Sequence, residues 1–159
     1  MIRRRTTRQI FVGKVPIGGN APISIQSMTN TYTKDVTATV RQIKRLEKRG
    51  CEIIRVAIPD SDSAKAISEI KKRIQIPIIA DIHFDYKLAL ESIENGADCI
   101  RINPGNIKNK EKLKEIIKKS KDYNTSIRIG VNSGSLDFNI REKFKKNIDE
   151  ALVFSAIEY

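Results

Sequence analysis

One arrangement recurs five times along this chain: a short Ile- and Val-rich run, a polar turn, then an amphipathic stretch, with the starts of the runs 21 to 30 residues apart. The runs are 22–28 (PISIQSM), 52–58 (EIIRVAI), 77–83 (PIIADIH), 98–103 (DCIRIN) and 126–132 (SIRIGVN). Each has the length and β-branched content of a strand. The intervening stretches read as helices at about 35–49, 61–73, 85–95, 109–122 and 138–157. Asp35, Ser61, Asp85 and Asn109 stand at N-cap positions, and Gly50 and Gly96 stand where helices end. Strand and helix alternating at this spacing demand right-handed crossovers and therefore a parallel sheet, either doubly wound or closed into a barrel.

The strands themselves choose between the two. A doubly wound sheet is covered on both faces, so its strands read as nearly continuous apolar runs. Here alternate positions differ. Ile23 and Ile25, Ile54, Val56 and Ile58, Ile78, Ala80 and Ile82, Ile100 and Ile102, and Ile127, Ile129 and Val131 share one face. The other face carries Ser24, Gln26 and Met28, Arg55 and Ala57, Asp81 and His83, Arg101 and Asn103, and Arg128, Gly130 and Asn132. One face packs under helices while the other gathers polar groups toward the strand C-termini, which is the layout of a (β/α)8 barrel of the TIM type. A complete barrel needs more than about 200 residues. The 159 here supply five βα units and stop inside a helix, so 1–159 reads as the N-terminal part of an incomplete TIM barrel in a larger protein. Ahead of the first unit, 8–17 (RQIFVGKVPI) alternates around Gly13-Lys14, which predicts a two-stranded hairpin closing the N-terminal end.

Composition narrows the class further. With 40% hydrophobic and 31% charged residues the chain is one globular domain, no apolar run approaches a membrane span, and the opening MIRRR lacks a secretory signal, so a cytoplasmic location is expected. Cys51 and Cys99 lie far apart without CxxC spacing, so they read as two buried thiols rather than a disulfide or a metal site. The net charge of +11 raises nucleic-acid binding, but much of the excess is Lys on polar helix faces, as in 108–121 (KNKEKLKEIIKKSK), where Glu111 and Glu115 interleave. Five Phe and four Tyr, none clustered with basic residues, make no base-stacking platform, so neither nucleic acid nor membrane is an expected partner.

Three arginines on the polar face, Arg55, Arg101 and Arg128, meet a single carboxylate, Asp81. Unpaired buried charge costs several kcal/mol per ion, so an anionic ligand is the natural resolution. Guanidinium forks match phosphate oxygens in pairs, which favours a diphosphate. The plainer alternative pairs one arginine with Asp81 and leaves the others to water or to acids elsewhere. His83, the single histidine, follows Asp81 on the same face. Asn103 and Asn132 offer neutral donors and acceptors to a hydroxylated ligand, and 103–106 (NPGN) is a turn where barrel site loops belong. Residues 26–30 (QSMTN) offer hydroxyl and amide contacts from the same rim. Gly130 and Gly134, flanking Asn132, read as tight-turn residues rather than a phosphate cradle. No catalytic residue is assigned.

The segments RRRTTRQIFVGKVPIGGNAPISIQSMTNT, IIRVAIP, IIADIHFDYKLAL, DCIRINPGNI and IRIGVNSGSL together resemble the 4-hydroxy-3-methylbut-2-enyl diphosphate synthase family of the methylerythritol phosphate route to isoprenoids. The resemblance implies an iron–sulfur oxidoreductase that ring-opens 2-C-methyl-D-erythritol 2,4-cyclodiphosphate with two electrons from flavodoxin or ferredoxin. It implies a barrel followed by a separate domain holding a [4Fe-4S] cluster, in homodimers where one subunit's barrel faces the other's cluster. By motif, Arg55, Arg101 and Arg128 would grip the diphosphate, with Asp81, His83, Asn103 and Asn132 lining the same pocket. Cys51 and Cys99 match no cluster ligand, 137–146 follows the family only roughly, and Phe154 replaces a commonly polar residue. On this reading 1–159 alone could bind substrate but not reduce it. Two alternatives remain: a pterin-binding barrel of the dihydropteroate synthase type, and a non-catalytic remnant with open sheet edges.

Overall fold

Asp35, Asp60, Asp85 and Asn109 each turn a side-chain oxygen onto a free N–H of the following turn, accepting from Ala38, Ser63, Lys87 and Glu111 respectively. These caps start α1 (Val36–Glu47), α2 (Ser61–Lys71), α3 (Tyr86–Glu94) and α4 (Lys110–Asp122). In this computed structural model residues 5–103, 106–107, 109–145 and 147–158 are described. Three of the four expected caps stand; at α2 the role falls to Asp60, and Ser61 opens the helix. Gly96 closes α3 with a φ of 89°, Gly96 N donating to Ile93 O and Ala97 N to Ser92 O, the paired bonds of a left-handed helix stop.

Between the helices run β4 (Ile53–Ile58), β5 (Ile78–Ile82), β6 (Cys99–Ile102) and β7 (Ser126–Ile129), preceded by β3 (Gln26–Met28). They form one all-parallel sheet in sequential order, β3-β4-β5-β6-β7. Ile54, Val56, Ile58, Ile78, Ala80, Ile82, Ile100 and Ile102 pack against α1 to α4 in one core. With α1 to α4 on that face and neighbours in chain order, this is TIM-barrel winding, left open among the described residues with β3 and β7 as edges. The largest fully buried side chains are all isoleucine. Each removes enough apolar surface to contribute about 2 kcal/mol.

The hairpin forms as the alternation predicts: β1 (Ile10–Val12) pairs antiparallel with β2 (Val15–Ile17). It lies under the concave face, where Val12, Ile53, Ile79 and Cys99 make a second, smaller core with Val15 and Ile17. Gly13 turns with φ 56°, and a Cβ there would come within 2.8 Å of Pro77 Cβ, so glycine lets the hairpin tuck under the sheet.

Three expectations are corrected. The first strand is only Gln26–Met28, and Ile23 and Ile25, which precede it, are 82% and 59% exposed. The last strand ends at Ile129, before Gly130 leaves the ladder. The long helix at 138–157 is two, α5 (Phe138–Lys143) and α6 (Ile148–Ile157), the second capped by Asn147 Oδ1 accepting from Glu150 N. Phe144 and Phe154 pack across the break with their rings tilted, 5.3 Å between centres. Among the described residues no helix is long and apolar enough to cross a membrane.

Candidate functional site

Sheet register sets the polar face in layers. Ala57 neighbours Asp81, Asp81 neighbours Arg101, and Arg101 neighbours Arg128 across β4 to β7. Above Ile79 and Cys99, whose register row also carries Arg55, the next row is therefore charged. Asp81 is buried, its side chain 4% exposed, and it faces two guanidiniums. Arg101 Nη1 donates to Asp81 Oδ1 at 3.1 Å, and Arg55 Nε lies 3.6 Å from Oδ2. Arg55 Nε also donates to Met28 Sδ at 3.2 Å. Arg101 Nη2 donates to Gly130 O at 3.2 Å.

Arg128 takes a neutral partner. Its Nη1 donates to Gln26 Oε1 at 2.6 Å, joining β7 to β3 across 102 positions of sequence. The sheet is thus curled far enough for one side-chain pair to link its two edges across the concave side. Three guanidiniums meet one carboxylate, and two of them share it, so neither one-to-one pairing nor splaying into solvent describes the layer. The Arg55 side chain keeps 31% of its surface open and that of Arg101 15%. Charge of this kind, dry on one side and open on the other, suits an anion with several oxygens.

Closer to the rim the groups differ in their commitments. Asn103 is buried and donates from Nδ2 to Ser135 Oγ at 2.7 Å. Ser135 is held in turn by Asn132, whose Oδ1 accepts from Ser135 N and lies 3.0 Å from its Oγ, capping the short 3-10 turn Ser133–Ser135. Asn132 and Asn103 therefore come together through Ser135, a residue singled out only as part of a quoted motif. His83 is exposed, with its ring beside Phe84 and its carbonyl accepting from Asn106 Nδ2 at 2.5 Å. Asn106 N donates to Asn103 O at 3.0 Å, while Pro104 and Gly105 of the expected turn lie outside the described residues.

Gly130 is not a tight-turn residue: its φ is not left-handed, and its role is room, since a Cβ there would lie 2.7 Å from Arg101 Cζ. A cavity of about 750 Å³ lies at the opposite end of the sheet, between the hairpin and α4. Its Lys71 and Asp98 pair at 2.8 Å, and Lys121 lines the same cavity.

Both cysteines are free and buried. Cys51 Sγ donates to Ile53 O and Cys99 Sγ to Ile100 O, and burial pushes the Cys99 thiol up from its ordinary value. Among the described residues no group of three or more His, Cys, Asp or Glu could hold a metal ion.

The family model described as GcpE TIM-barrel domain matches residues 7–159. The chain is 62% identical over 151 residues to the 4-hydroxy-3-methylbut-2-en-1-yl diphosphate synthase (flavodoxin) of Caldicellulosiruptor saccharolyticus, covering 95% of this chain and 44% of that protein. With the protein of the same name from Colwellia psychrerythraea it is 54% identical over 158 residues, covering 99% of this chain and 42% of that one. It therefore spans less than half the length of these relatives. Among solved structures, Yersinia pestis dihydropteroate synthase superposes with a TM-score of 0.60 over 93% of this chain and 58% of its own, at 10% identity. That likeness concerns the barrel fold alone.

Proposed function

Because this chain belongs to the GcpE TIM-barrel family, we propose that its concave polar face is the diphosphate-binding part of a 4-hydroxy-3-methylbut-2-en-1-yl diphosphate synthase. On this reading the whole protein reductively opens the ring of 2-C-methyl-D-erythritol 2,4-cyclodiphosphate, and 1–159 is the N-terminal part of its substrate-binding barrel. The observation that supports it most is the imbalance of the charged layer, three guanidiniums against the one buried carboxylate of Asp81.

Arg55, Arg101 and Arg128 would hold the phosphate oxygens by charge-assisted hydrogen bonds. Without ligand, Asp81 holds Arg55 and Arg101 together against their mutual repulsion. Asn103, Asn132 and His83 stand at the rim, where the carbon skeleton and its hydroxyls would lie. Holding the diphosphate end fixes the position of the reacting carbons, converting remote binding energy into orientation.

The same reading assigns the full-length protein a [4Fe-4S] cluster supplied with electrons by flavodoxin or ferredoxin, and a homodimer. Flavodoxin is supported by the names of the relatives. Cys51 and Cys99 do not fit as cluster ligands, since both are buried on different strand ends and committed to backbone carbonyls.

Titrating the full-length protein with the cyclodiphosphate and, separately, with a pterin diphosphate tests the proposal. Saturable binding of the first, weakened at least tenfold by Arg101→Ala, is expected. Preference for the pterin, or an unchanged affinity in the variant, overturns it.

A further inference from the structure

Gly130 follows the last residue of β7, where the ladder gives way to the mouth. Both of its backbone groups are taken by β6: Gly130 N donates to Ile102 O at 2.9 Å, and Gly130 O accepts from Arg101 Nη2 at 3.2 Å. Its φ is one that any residue adopts, so conformational freedom does not explain the glycine. Space does. A methyl built on Gly130 would overlap Arg101 Nε and lie 2.6 Å from Nη2 and 2.7 Å from Cζ. These are the three nearest atoms, and all belong to one guanidinium.

We propose that Gly130 is a positioning residue for Arg101: the missing side chain is the slot that the guanidinium occupies, aimed by Gly130 O on one side and by Asp81 Oδ1 on the other. This rests on the diphosphate reading of the layer and adds to it the element that sets the direction of its central arginine. With alanine at 130, either Arg101 leaves the slot and loses both partners, or the end of β7 moves and breaks the bond to Ile102 O. In both cases the guanidinium no longer points where Arg55 and Arg128 can share an anion with it.

Four full-length proteins decide the matter: wild type, Arg101→Ala, Gly130→Ala and the double variant, each titrated with inorganic pyrophosphate and unfolded thermally in parallel. Removing a charge-assisted contact predicts a roughly tenfold to hundredfold loss of pyrophosphate affinity for Arg101→Ala. Gly130→Ala is expected to lose at least tenfold, and the double variant to bind no more weakly than Arg101→Ala, the non-additivity of groups that act as a unit. Wild-type affinity in Gly130→Ala, or a loss that repeats in full on the Arg101→Ala background, overturns the positioning role while leaving the anion site standing. If Arg101→Ala binds like wild type, the diphosphate reading fails, and unfolding still judges the slot: a drop in Tm from Gly130→Ala that vanishes without the Arg101 side chain supports it, and one that persists refutes it. Should Gly130→Ala not fold, recovery of folding in the double variant supports the slot, and failure of both overturns it.

Discussion

Asp81→Asn separates what the buried carboxylate does for the fold from what it does for an anion. The bond from Arg101 Nη1 at 3.1 Å joins side chains 15% and 4% exposed, and such a charge-assisted contact contributes about 1.5–3 kcal/mol. Arg55 Nε at 3.6 Å is too long for a good hydrogen bond, and its side chain is 31% exposed, so its share is closer to a surface pair, about 0.5–1 kcal/mol. Asparagine can still accept from Arg101, which returns about 1 kcal/mol. The expected net loss is about 2 kcal/mol, read as a lower denaturant midpoint at unchanged slope. Pyrophosphate supplies the missing negative charge, so saturating it should stabilise the variant more than wild type. An Asn variant as stable as wild type, or one whose deficit is the same with and without pyrophosphate, refutes the idea that Asp81 holds an otherwise repulsive layer.

Ile79→Ala should cost about 2–5 kcal/mol in the same assay, because Ile79 is fully buried between the hairpin and the sheet; a loss below 1 kcal/mol would mean that the hairpin does not close this end. At Asp60 the Ser63 hydroxyl and amide, with Lys34 adding less, hold the carboxyl below its ordinary value. A depressed pKa stabilises the fold above the unfolded value and stops doing so as pH falls through the folded one, so Asp60→Ala should be less stable than wild type at neutral pH and converge with it in acid below the ordinary carboxylate range. Parallel stability curves from neutral to acid pH would contradict that.

Much of the architecture was legible because it depends on period and on short-range chemistry. Alternation in 52–58, 77–83 and 98–103 is a direct image of a sheet with one face under helices, and it placed Arg55, Asp81 and Arg101 on the opposite face. Asp35, Asp85 and Asn109 were readable because a cap bonds within three residues of itself. Ser61 was misplaced because Asp60 and Ser61 are both good caps, and only the geometry of Ser63 N decides between them. What depends on distant chain was not legible. The exposure of Ile23 and Ile25 goes with a strand that starts only at Gln26, and the need for glycine at 130 comes from a side chain on another strand. Which arginine pairs with what is of the same kind: the sharing of Asp81 and the Arg128 bond to Gln26 depend on sheet curvature, which no local pattern encodes.

A crystal structure of the full-length protein with the cyclodiphosphate bound addresses the ligand of this layer most directly. Phosphate oxygens within about 3 Å of the Arg55, Arg101 and Arg128 guanidiniums are the expected result. A diphosphate seated elsewhere, with Arg101 still on Asp81 and Arg128 still on Gln26, would contradict the account.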